Sequence, residues 1–179
     1  PQPVTTTLEA GRGPNGIDVM LYFGTGKFFE AGDEIVPGSP SIHAFYGIWD
    51  KGAHVTRTNL QAQSITWQGE ASFTQPDLSV VTQELRVVSD TVINYGTKLG
   101  WYLDLLNPNL SGVGEGERVI SRAILRSGRI IFTSMIPAPD PCQFGGEGWL
   151  MELDAVSGAR LPEAVFDLNG DGEFDEADM

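Results

Sequence analysis

At 179 residues and 41% hydrophobic composition, the chain can bury one real core and is too polar for a membrane protein. Its 24 Asp and Glu against 11 Lys and Arg give a formal net charge of −13, which repels nucleic-acid backbones and anionic membrane surfaces and favours cations. No run approaches the ~20 apolar residues of a spanning helix, and the opening PQPVTTTLEAGRG lacks the basic and apolar stretches of a signal peptide.

In chain order, residues 1–17 are polar and rich in Gly and Pro, and predict a loop. DVMLYF (18–23) predicts the first strand and runs into YFGTGKFF (22–29). Gly26-Lys27 has the look of a phosphate loop, but Leu21 stands where that loop's first Gly belongs and Phe28 where its Ser or Thr belongs. Nucleotide binding is rejected, and the stretch predicts a strand, a glycine-permitted turn or bulge, and a second strand. Residues 32–41 predict another loop, and AFYGIW (44–49) and SVVTQELRVV (79–88) predict strands.

In GWYLDL (100–105), Trp101, Leu103 and Leu105 share one face of a strand while Tyr102 and Asp104 share the other. Residues 107–117 predict a third long loop. ERVISRAIL (117–125) and RIIFTSMI (129–136) predict two strands joined by a hairpin turn at Arg126-Ser127-Gly128-Arg129. GWLMELDAVSGA (148–159) predicts a strand followed by a turn, with Asp154 as its cap and Gly158 in the left-handed position. Helical stripes longer than two turns are hard to find, so the fold class is all-β.

The chemistry-bearing residues are few. His43 and His54 are the only histidines, lie in different β segments, and have no zinc spacing; each predicts a structural or exposed side chain. No GxSxG elbow occurs, and the single cysteine, Cys142, has no nearby histidine to activate it. Cys142 predicts a loop or buried thiol, or a bridge to a cysteine outside this chain. No catalytic residue is selected.

The C-terminal DLNGDGEFDEADM is different. Counting Asp167 as the first position, side-chain oxygens fall at positions 1, 3, 5, 9 and 12: Asp167, Asn169, Asp171, Asp175 and Asp178. Gly172 sits at position 6, where the chain must turn, and Glu173 at 7 would offer its backbone carbonyl. This spacing predicts an EF-hand-like calcium loop over residues 167–178, following a β segment over residues 1–166. Aspartate rather than Glu at position 12 fits weak extracellular sites, with dissociation constants of about 0.1–1 mM. LPEAVF before the loop is too short and too interrupted by Pro162 for an entering helix, and Met179 directly after position 12 reads as a truncation.

FGTGKFFEAGD, FYGIWDKG, GWYLDL and GERVISRAILRSGRIIFTSMIPAPDPCQFGGEGWLMELDAVSG, in that order, are far more specific together than singly. Across about residues 18–158 the chain resembles the C-terminal β-propeller domain of the PilC/PilY family of type IV pilus tip-associated proteins. The resemblance implies a modified quinoprotein-like β-propeller, of which this chain could supply a partial ring of about two to three blades.

It also implies a secreted, non-enzymatic protein of Gram-negative bacteria that reaches the pilus tip and cell surface through the periplasm and outer membrane. The implied partners are major and minor pilins, the tip complex, and a host or abiotic surface. The implied roles are pilus biogenesis, adhesion, twitching motility and virulence, with calcium on the 167–178 loop balancing extension against retraction. Two rival readings stay open. One is a periplasmic quinoprotein dehydrogenase-like enzyme, although such enzymes hold calcium with dispersed residues and often carry a vicinal cysteine pair. The other is a purely structural, calcium-stapled β domain.

Overall fold

The structure, a computed structural model, describes residues 2–38, 40–138 and 146–178. Cys142 lies outside the described residues. Ten strands follow one another: β1 (Glu9–Arg12), β2 (Val19–Gly24), β3 (Ala44–Trp49), β4 (Gln61–Gln63), β5 (Ile65–Thr74), β6 (Val80–Val88), β7 (Gly100–Asp104), β8 (Ile124–Arg126), β9 (Arg129–Ile136) and β10 (Glu147–Asp154). The helical content among the described residues is three single turns of 3-10 helix, at Arg57–Asn59, Pro108–Leu110 and Glu176–Asp178. The chain is all-β, as composition and periodicity predict.

The strands form a five-stranded sheet in the order β1-β2-β3-β7-β4, a three-stranded sheet β10-β9-β8, and the two-stranded hairpin β5-β6. All pairings are antiparallel except β4 with β7. Among the described residues these sheets do not close into a ring.

Side-chain alternation turns Met20, Tyr22, Phe45, Trp101 and Leu103 of the large sheet onto Ile130, Phe132, Met151 and Leu153 of the three-stranded sheet. Phe45 and Phe132 stack across this interface with ring centroids 4.0 Å apart. Trp101 is fully buried and donates its indole N–H to the Ala155 carbonyl at 3.0 Å. Gly158, at φ 65°, makes room for it: a Cβ there would lie 2.2 Å from Trp101 Cδ2.

The opposite face of the large sheet is apolar as well. Phe23, Tyr46 and Tyr102 lie side by side in register across β2, β3 and β7, with Leu60, Val55 and Ile48 around them. The Arg57 guanidinium stands 3.9 Å from the Tyr102 ring centroid and donates to Asp104 at 2.6 Å. With both faces covered, AFYGIW has no reason to alternate between apolar and polar residues.

The β5-β6 hairpin is joined to the rest by a buried ion pair. Arg86 on β6 donates to both carboxylate oxygens of Glu117, at 2.6 and 2.8 Å, and each side chain is 1% exposed. Gln68 accepts from Arg86 Nε at 2.7 Å, Ser134 of β9 donates to Glu117, and the guanidinium lies 4.1 Å from the ring centroid of Trp149 on β10. One charged pair therefore touches the hairpin, the three-stranded sheet and the segment before β8.

Several expectations hold at residue level. β3 and β9 have the boundaries read from AFYGIW and RIIFTSMI. Arg126 pairs with Arg129 around Ser127 at φ 51° and Gly128 at φ 79°, the two left-handed centres of a type I′ hairpin turn. Asp154 accepts from the Ser157 amide and hydroxyl, both at 2.7 Å, ahead of left-handed Gly158.

Others are corrected. The loop expected over residues 1–17 contains β1, which pairs with β2. No second strand follows YFGTGKFF: between Gly24 and Ala44 the described residues contain none. Buried Arg118 instead donates to the carbonyls of Lys27 and Asp33 at 2.9 and 3.0 Å and fixes this segment as an irregular loop. ERVISRAIL is a strand only from Ile124; before it, a single bridge, Arg118 to Met135, interrupts irregular chain. Val119 and Ala123 are buried from that segment, which explains its apolar composition without a strand.

Candidate metal centre

After β10 and the Asp154–Gly158 turn, Arg160 N–H donates to the Ser89 carbonyl at 3.2 Å, and the chain lines one cleft with β6 and β10 before it enters the 167–178 loop. Within the loop, each predicted side-chain ligand is fastened by a backbone amide. Asp167 Oδ1 accepts from the amides of Gly170 and Asp171 at 2.6 and 3.1 Å, and its Oδ2 from Gly172 at 3.0 Å. Asn169 Oδ1 accepts from Asp171 at 2.9 Å, Asp171 Oδ1 from Glu173 at 2.8 Å, and Asp175 Oδ1 from Ala177 at 2.8 Å. Asp178 reaches back and accepts from the amides of Leu168 and Asn169 at 2.7 and 3.0 Å, closing the loop on itself.

Left-handed Gly170 and Gly172, at φ 72° and 86°, supply the turns this path requires. Asn169 and Asp178 are buried, whereas Asp167, Asp171, Glu173 and Asp175 are exposed. Desolvation raises the Asp178 carboxyl, but amide hydrogen bonds from Asn169, Leu168 and Asp175 outweigh it and hold the group below the usual carboxylate range.

Among the described residues no three His, Cys, Asp or Glu side chains come together closely enough to hold a metal ion. In this loop the carboxylates are turned onto the loop's own amides. The donor set nevertheless fits a hard divalent cation. Every side-chain donor is an oxygen with further lone pairs, position 7 presents a backbone carbonyl, and no ion pair among the described residues neutralises the loop. Asp167, Asn169, Asp171, Asp175, Asp178 and the Glu173 carbonyl would hold such an ion.

The two histidines belong to other segments of the chain. His43 is buried, with no hydrogen-bond partner on Nδ1 among the described residues; burial and, secondarily, the Arg118 charge lower its pKa and so favour the neutral imidazole. His54 is exposed.

The loop has a neighbour that sequence reasoning missed. Gln75, in the turn of the β5-β6 hairpin, donates Nε2–H to the Leu168 carbonyl at 3.2 Å. Trp67, Phe73, Leu85 and Val87 of the hairpin line a cleft of about 510 Å³ together with Asn169 and Ala177 of the loop. A glutamine in a turn carries no sequence signal, and only the tertiary path of the hairpin brings it within reach.

No model of a known protein family matches the chain. It is 37% identical, over 88% of its own length, to a type IV pilus biogenesis factor PilY1 homolog of Xylella fastidiosa, and covers 10% of that protein. It is 31% identical, over 97% of its length, to the type IV pilus biogenesis factor PilY1 of Pseudomonas aeruginosa, and covers 16% of it. The crystal structure of the Pseudomonas aeruginosa PilY1 C-terminal domain superposes on 98% of the chain with a TM-score of 0.84 at 26% identity. The chain spans 36% of that solved domain.

Proposed function

This chain belongs to the PilC/PilY family, and from that premise we propose that it works within a type IV pilus biogenesis factor at the pilus tip and cell surface. In this reading its sheets are part of a quinoprotein-like propeller that is non-enzymatic and engages pilins and the tip complex. The likeness of nearly the whole chain to the PilY1 C-terminal domain, in fold and in sequence, is the observation that carries the reading.

The 167–178 loop gives this body a calcium response. Bound there, calcium would supply a local positive charge for the side-chain oxygens of Asp167, Asn169, Asp171, Asp175 and Asp178 to share, beside the amide hydrogen bonds they already accept. Asp167, Asn169 and Asp171 are already oriented by the loop's amides, so the chain has less conformational entropy to lose on binding. Binding favours the ordered loop by RT ln(1 + [Ca]/Kd), about 1.4 kcal/mol at tenfold excess. A bias of that size shifts a tip poised between extension and retraction, and with it surface attachment, while leaving the β fold to its own core.

Calorimetric titration of calcium into the protein, with Asp171→Ala in parallel, tests the loop. Binding between micromolar and millimolar that disappears in the variant supports the reading, and twitching motility of cells carrying the same substitution then tests the pilus role. Absence of uptake by the wild type removes calcium from the function.

A further inference from the structure

The hairpin tip and the cation loop meet at one side chain from opposite directions. Gln75 donates to the Leu168 carbonyl, between loop positions 1 and 3, while the Leu168 amide donates to Asp178 at position 12. On the other side, a Cβ on Gly170 would lie 2.2 Å from Gln75 Oε1, so the missing side chain at loop position 4 is the room that the glutamine amide occupies. The same turn is internally rigid: Gln75 N–H donates to Ser79 O and Leu78 N–H to Gln75 O, both at 2.9 Å, with Leu78 left-handed at φ 67°. Below it Phe73 is buried, in the cleft where Asn169 and Ala177 also lie.

We infer that Gln75 is a positioning residue for the cation loop, and that the β5-β6 hairpin tip and calcium hold one another in place. The inference rests on the calcium reading of the 167–178 loop. Gln75 fixes the peptide that presents the Asp178 anchor and the Asn169 donor, so its hydrogen bond favours the conformation an ion selects. Coupling of this kind is reciprocal: whatever Gln75 adds to calcium affinity, calcium returns as order in the hairpin turn.

Two measurements on the protein test this. Gln75→Met keeps the length of the side chain and removes its hydrogen bonds; calcium titration should show affinity lower by about three- to tenfold, the weight of one hydrogen bond, with unchanged far-ultraviolet circular dichroism. Hydrogen exchange of the Gln75 and Leu78 amides should slow on adding calcium to the wild type and be indifferent to calcium in the variant. The exchange of the wild-type turn needs no variant and so stands even where Gln75→Met folds poorly. Wild-type affinity in Gln75→Met, or wild-type turn amides that exchange equally with and without calcium, overturns the inference while leaving calcium binding intact. Absence of calcium uptake by the wild type overturns both readings together.

Discussion

His43 illustrates how a residue without chemistry still shapes the pH response. Its imidazole is buried, and burial first and Arg118 second place its folded pKa below the 6.5 of an unperturbed histidine. The unfolded chain therefore takes up a proton that the folded one resists. The contribution is fully present above the unfolded pKa and is lost as pH falls through the window down to the depressed folded value. Thermal unfolding should show a melting temperature that begins to drop as pH falls through the unperturbed histidine value of about 6.5, and His43→Gln should flatten part of that slope. An unchanged slope in the variant would assign the acid sensitivity to other groups.

Among the elements, the turns divide into those made by backbone conformation alone and those made by packing. Gly128 in the β8-β9 turn is left-handed at φ 79° with nothing within 4 Å of an added Cβ. Gly158 is left-handed and also pressed against Trp101. Gly128→Ala should therefore cost only the left-handed strain, about 1–2 kcal/mol. Gly158→Ala adds overpacking against a fully buried indole and should cost about 2–4 kcal/mol in denaturant titrations. Equal costs would show that Trp101 shifts freely, against its hydrogen bond to Ala155 and its stack with Phe45.

The strands most legible in the sequence are those with an environment that repeats along their length. RIIFTSMI and GWYLDL alternate because a core face and an outer face alternate. ITWQGEASFT went unread because β5 belongs to a two-stranded hairpin that is solvated along much of both faces, and its burial follows no simple period. ERVISRAIL misled in the opposite sense, since Val119 and Ala123 enter the core from irregular chain. Val119 does so against Gly24, where a Cβ would lie 2.2 Å from its own.

At the scale of the whole molecule, the Arg86–Glu117 pair is the junction between sheets. Both side chains are desolvated, so removing one leaves an uncompensated buried charge, at a cost of about 3–5 kcal/mol. For a chain of this size that is a fall in melting temperature on the order of 10 °C. Glu117→Leu or Arg86→Met alone should each show it, and the double substitution should recover much of the loss because it removes both charges. A double variant as unstable as the sum of the singles would show that Gln68, Ser134 and Trp149 depend on the pair for their own placement.

The sequence by itself determined the all-β class, the hairpin turn at Arg126-Ser127-Gly128-Arg129, the Asp154 cap, the 167–178 spacing and the resemblance to the PilC/PilY family. Each of these is written in neighbouring residues, because turn dihedrals, strand alternation and a contiguous ligand loop are local properties of the backbone. The tertiary structure alone decided the rest: the two apolar faces of the five-stranded sheet, the buried Arg86–Glu117 junction, and Gln75 against Leu168. Those contacts join residues 31 and 93 positions apart. Charged and amide side chains carry no mark of a distant partner until burial makes an unpaired polar group costly.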